Sequence, residues 1–122
     1  MKNLMLLLLI IPCLAATSQK LDSISKALSR VDVESLSTYF DDNVEIDDDF
    51  YDKAEAKNVV KKFFSKNPPK SFSLIHQGTS KGENSKYFIG NLNAGSGTFR
   101  VYVYMKLSGS QPLIQELRFD KE

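Results

Sequence analysis

The sequence predicts one α+β domain, with helices laid on one face of an antiparallel sheet. Three observations predict it. Through the first half of the chain, apolar residues recur at the three-and-four spacing of amphipathic helices. From Phe72 onward the period becomes two, with Gly- and Asn-bearing turns between the alternating runs. With 122 residues there is chain for a single ordinary core.

The first eighteen residues stand apart from this pattern. Lys2 is their only charge, and Leu4 to Leu14 is almost wholly apolar. That run is too short for a membrane span, which needs about 20 residues as a helix. Ala15, Ala16, Thr17 and Ser18 come directly after it. A basic start, a short apolar stretch and a small-residue exit make up a secretory signal. We therefore expect a signal peptide over residues 1–18 and a single domain over 19–122, exported to a periplasm or beyond the cell. Cleavage after Ser18 puts Ala16 and Ser18 at the two small-residue positions; cleavage after Ala15 or Ala16 fits nearly as well. Cys13 is the single cysteine. Pro12 precedes it where a lipoprotein signal has a small residue, which argues against a lipid anchor there. Loss of the leader leaves a chain without cysteine, and with it no disulfide, thiolate chemistry or cysteine-held metal.

Beyond the leader, Leu21, Ile24, Leu28 and Val31 stripe a first helix over Lys20 to Val31. Asp32 offers a capping oxygen to a second, striped by Val33, Leu36 and Phe40. Val44 to Asp47 alternates apolar and acidic residues and reads as a short strand. Asp52 and Glu55 form a capping box for the third helix. Ala56, Val59, Val60, Phe63 and Phe64 line one side of that helix, and Asn67-Pro68-Pro69 ends it. Four strands are expected at Phe72–Thr79, Lys86–Leu92, Thr98–Leu107 and Leu113–Phe119. In the third of these, Phe99, Val101, Val103, Met105 and Leu107 face one way, and Arg100, Tyr102, Tyr104 and Lys106 the other.

This order, three N-terminal helices packed on a curved antiparallel sheet, resembles the nuclear transport factor 2-like superfamily, also called cystatin-like or ketosteroid isomerase-like. Within it the chain resembles a small family of secreted bacterial proteins classed only as a domain of unknown function. The resemblance is carried by Tyr51-x-Lys53-x-x-Ala56, Val59-Val60-x-x-Phe63-Phe64, Pro69-x-x-Phe72 and His76-x-Gly78-x-Ser80. It continues through Tyr87-Phe88-Ile89-Gly90-x-Leu92 and Phe99-Arg100-Val101-Tyr102. It implies an exported cone-shaped domain and brings no catalytic residues with it.

Charge restricts the partners. The chain has 16 Lys and Arg against 15 Asp and Glu, and the leader removes one base. So balanced a domain has no broad attraction for a phosphate backbone or an anionic membrane surface, and nucleic acid is not expected. No membrane span remains after the leader, and no metal or cofactor is expected. The acidic run from Asp41 to Asp52 lacks the glycine that an EF-hand turn requires, since Ile46 stands there. His76, the single histidine, shares a period-two face with Phe72 and Leu74 and is expected to point inward. Gln115 falls in phase with Leu113, Leu117 and Phe119, and Asn91 with Tyr87 and Ile89. With Tyr39 from the second helix, His76, Asn91 and Gln115 form a candidate lining for a small, mainly apolar ligand pocket. An enzyme of the cone type, an isomerase or dehydratase using His76, is the alternative, but no acid falls on an inward strand position to serve as base. Arg100, Tyr102, Tyr104 and Lys106 form a second candidate, a homodimer or partner surface on the other face. The reading that joins these is a non-catalytic exported module that binds a small ligand or a protein.

Overall fold

The computed structural model describes residues 12–80, 84–109 and 111–122. Of the expected leader, residues 1–11 lie outside the described residues. The chain runs α1 (Pro12–Arg30), α2 (Val33–Ser37), β1 (Phe40–Ile46), β2 (Asp49–Asp52) and α3 (Lys53–Lys66). It continues as β3 (Pro69–Ser80), β4 (Ser85–Ala94), β5 (Gly97–Ser108) and β6 (Gln111–Lys121). The strands form one six-stranded sheet in the order β2-β1-β6-β5-β4-β3.

Local chemistry sets the helix ends. The N–H of Asp32 bonds the carbonyl of Ala27 at 2.8 Å and that of Val31 bonds Leu28 at 3.1 Å, closing α1 in a Schellman motif. The motif needs a left-handed residue, and Val31 takes that role at φ 54°. Asp32 then caps α2, accepting from the Ser35 N–H at 3.2 Å, and Asp52 caps α3, accepting from Glu55 N–H at 2.8 Å. Glu34 on α2 ties that helix to α3 through ion pairs with Lys57 and Lys61.

The helices cover one face of the sheet. Ile24, Ala27 and Leu28 of α1, Leu36 of α2, and Ala56 and Val60 of α3 are buried against it. The opposing sheet rows include Phe88 and Leu92, then Phe99, Val101, Val103 and Met105, then Ile114, Leu117 and Phe119. Phe63 stacks on Phe119 with ring centroids 4.2 Å apart and meets Phe99 edge-on at 5.1 Å. Phe72 lies over Gly90, so closely that a Cβ on Gly90 would stand 2.3 Å from the ring.

Three features differ from the sequence expectation. Phe40 does not continue the second helix. It opens β1 and is buried, and a short β2 (Asp49–Asp52) forms where the sequence analysis expects no strand. The sheet is mixed, not wholly antiparallel: β1 lies parallel to β6, with Glu45 beside Glu116 and Ile46 beside Leu117. The register breaks in the β1–β6, β3–β4 and β5–β6 pairings, and two of these breaks move candidate residues. In β3 the register passes from Leu74 opposite Gly90 to His76 opposite Ile89, leaving Ile75 as an extra residue. In β6 it passes from Glu116 opposite Tyr104 to Ile114 opposite Met105, leaving Gln115 extra. Each extra residue reverses the facing of the rest of its strand, because strand side chains alternate with period two.

Candidate functional site

The face of the sheet away from the helices is the candidate site. It is built by cross-strand rows. Ile89 sits opposite Tyr102, which sits opposite Arg118; Tyr87 sits opposite Tyr104, which sits opposite Glu116. Arg100, Tyr102, Tyr104 and Lys106 share this face, as their alternation predicts; Tyr102 and Lys106 are exposed, Arg100 and Tyr104 half-buried. Between the rows lies an open groove of about 410 Å³, bordered by Tyr87, Ile89, Tyr102, Tyr104, Glu116 and Arg118.

The polar groups of this face hold one another in place. The Tyr104 hydroxyl donates to Ser85 Oγ at 2.7 Å. Arg100 Nε donates to Asn91 Oδ1 at 2.9 Å and stands 3.5 Å from a Glu122 carboxylate oxygen. Arg118 Nη2 meets Asp48 Oδ1 at 2.6 Å and lies 3.9 Å from Glu116. Burial, with the neighbouring Glu45 carboxylate second, raises the Glu116 pKa above its ordinary value; like charges side by side disfavour ionisation. At the β1 end a second groove of about 510 Å³ is lined by acids, with Phe50 exposed beside it. There Gln115 Nε2 donates to Asp41 Oδ2 at 3.1 Å, and this bond, followed by the Asp42 N–H, lowers the Asp41 pKa.

The four candidate pocket residues do not come together. His76 does not point inward: it is exposed on the open face, because Ile75 reverses the phase of β3 ahead of it. Its Nε2 shares a 2.9 Å hydrogen bond with the Tyr87 hydroxyl, whose ring covers Gly78. Asn91 lies in phase with Tyr87 and Ile89 as expected, but that phase faces outward, where Arg100 engages it. Gln115 also faces out, because it is itself the extra residue of β6. Tyr39 is half-buried between α2 and β1, in a surface depression shared with Ser23 and Arg30 of α1. Where the helices and sheet could have enclosed a hollow, Phe63, Phe64, Phe99 and Phe119 pack ring against ring.

Sequence reasoning leaves Tyr87, Ile89 and Asp48 out of the candidate surface. Tyr87-x-Ile89-x-Asn91 is an alternating signal, but Phe88 and Leu92 between them make both faces of β4 apolar. Asp48 reaches the face only through the β1–β2 turn. Among the described residues, no group of three or more His, Cys, Asp or Glu is placed to hold a metal ion. No described helix is long and apolar enough to cross a membrane.

A family model for the domain of unknown function DUF4783 matches residues 21–120. A DUF4783 protein of Bacteroides ovatus, in its crystal structure, is 33% identical; the match covers 82% of this chain and 93% of that one, with a TM-score of 0.77. One from Bacteroides uniformis is 28% identical over 83% and 95% of the two chains, with a TM-score of 0.74. A protein of Kribbella flavida that carries the ketosteroid isomerase name matches in fold alone, at 10% identity over 88% and 78% of the chains and a TM-score of 0.62. Comparison with curated proteins finds no match. By its motifs, its striped helices on a curved six-stranded sheet and the span of the family match, the chain belongs to the DUF4783 family, with the nuclear transport factor 2-like fold.

Proposed function

We propose that the protein is an exported, non-catalytic binding module that pairs with a second copy through the open face of its sheet. The observation that carries the reading is the uncovered face itself: a tyrosine-centred groove on a surface that no described helix roofs. Tyrosine and arginine are the residue types that interfaces favour. Here Tyr102 and Tyr104 lie between Arg100 and Lys106 on the same strand. The face carries acids and bases together, with Glu45 and Glu116 at the β1 side and Arg100 and Lys106 at the two ends of β5. A two-fold contact can therefore match each sign with the other, since in such a contact every residue meets its counterpart reciprocally. Six strands about 4.8 Å apart, with outward rows about 25 Å long, give roughly 700 Å². That approaches the ~800 Å² per partner of a standard interface.

Export is supported by the order of Lys2, the apolar run and the small residues, and by a family match lying wholly beyond Ser18. The non-catalytic reading is supported by His76, which is exposed on the open face and whose ring bonds a tyrosine hydroxyl there.

Native mass spectrometry of protein purified from its own cell envelope tests both parts. The expected species is a dimer whose chains start within residues 16–19 and carry no lipid on Cys13. A wild type that stays monomeric at several hundred micromolar, or a Tyr102→Ser/Tyr104→Ser variant that still dimerises, would sink the pairing. A chain still beginning at Met1 would sink the export reading.

A further inference from the structure

On the helix side of the sheet, at its β3 rim, α1 and the β3–β4 hairpin leave an open cleft of about 530 Å³. Leu74 of β3 and Leu21 of α1 form its apolar walls above Phe88; Gln77, Thr79 and Lys86 supply polar groups. Leu74 is 37% exposed there, where its neighbours in phase on β4 and β5 are buried. The cleft lies within the ~300–1,000 Å³ of small-molecule sites.

Lys86 gives the cleft its sign. Four basic side chains are half-buried among the described residues: Lys57, Lys86, Arg100 and Arg118. Three of them meet a carboxylate, Lys57 on Glu34, Arg100 on Glu122 and Arg118 on Asp48. The Lys86 ammonium instead donates to a neutral hydroxyl, Thr79 Oγ1, at 2.8 Å. The acid of the cleft, Asp22, is already held by Lys26 one turn along α1 at 3.1 Å. A partly desolvated ammonium that meets no carboxylate among the described residues, beside exposed leucine, is complementary to a ligand that brings both an anion and an apolar body.

We infer that this cleft binds a small amphipathic anion, with its head on Lys86 and its tail against Leu21 and Leu74. The site stands apart from the pairing surface, because inward Lys86 and outward Tyr87 occupy opposite faces of β4. Either reading can therefore fail without the other.

The test uses the protein expressed from its full sequence and titrated calorimetrically with sodium decanoate below its micellar concentration. Decyltrimethylammonium is titrated in parallel as a probe of similar tail and opposite charge. Decanoate is expected to bind saturably with one molecule per chain, and the cationic probe at least tenfold more weakly. Lys86→Met should weaken decanoate about tenfold, while Lys62→Met, an equal loss of charge on exposed α3, should leave it unchanged. Leu74→Gln, at a position 37% exposed, should also weaken binding while leaving the thermal melt cooperative. Absence of saturable decanoate binding, equal binding of the two probes, or full affinity in Lys86→Met would overturn the assignment. So would decanoate-induced amide shifts on Tyr102 and Arg118 in place of Gln77, Thr79 and Lys86.

Discussion

Replacing Asp47 tests whether the acidic run is a structural clasp. Ile46 pairs with Asp49, so Asp47 and Asp48 form a two-residue hairpin loop, at φ 49° and 77°. Both central residues are left-handed, as a type I′ turn requires. From this position Asp47 fastens β1 to β6. Its N–H donates to the Leu117 carbonyl at 3.2 Å, and its carboxylate accepts from the Phe119 N–H at 2.9 Å. Phe119 is 8% exposed, so its N–H has little access to water if that oxygen is removed. Leaving such a donor unpaired costs about 1–3 kcal/mol. An alanine also places a Cβ in left-handed backbone without a polar side chain to compensate, about 1 kcal/mol more. Asp47→Ala should thus cost about 2–4 kcal/mol, or roughly 10–20 °C in Tm for a domain near 100 residues. Asp47→Gly relieves the backbone but not the lost acceptor and should cost about 1–3 kcal/mol. Asp47→Asn keeps both an oxygen and tolerance of the left-handed region, and should cost under about 1 kcal/mol. Urea unfolding monitored by far-UV circular dichroism gives the three values. An Asp47→Gly variant as stable as wild type, or an Asp47→Asn variant as damaged as Asp47→Ala, would refute the clasp.

Other positions respond to the same physics. Val31→Gly, at the strained φ 54° position that ends α1, should raise stability by about 0.5–1 kcal/mol; a lower Tm would contradict the strain. Gly90→Ala should cost about 1–3 kcal/mol by displacing the Phe72 ring, and a paired Phe72→Leu change should return part of that loss in thermal melts. Hydrogen bonds from Lys57 and then Lys61 lower the Glu34 pKa from 4.5 to about 2. The folded state therefore binds fewer protons than the unfolded one between those values. The stabilising contribution is complete above pH 4.5 and disappears as pH falls towards 2. Acid titrations of wild type and Glu34→Gln should converge over that window, and a constant gap across it would contradict the pairing.

Much of the fold is legible in the sequence because it is written in local periods. The caps at Asp32 and Asp52, the α3 stripe and the β5 alternation depend on neighbours within a few residues, and the structure has them where the sequence predicts. The Tyr102 and Tyr104 surface is legible for the same reason: β5 keeps its own alternation through the whole strand. His76 and Gln115 escape for the converse reason. Counting in twos along a strand assigns both to the inner face, and Ile75 and Gln115 break that count.

What the sequence by itself determined is the set of elements and the side of helices and regular strands that seeks the core, since hydrophobic spacing and capping act over one or two turns of chain. Tertiary structure alone decided that β1 runs parallel beside β6, that two extra residues turn His76 and Gln115 outward, and that half-buried Lys86 meets a hydroxyl and no carboxylate among the described residues. These depend on which distant backbone pairs with which. An irregular strand is tolerated or not according to partners about seventy residues away, as with Asp47 and Phe119, and no local pattern records that choice.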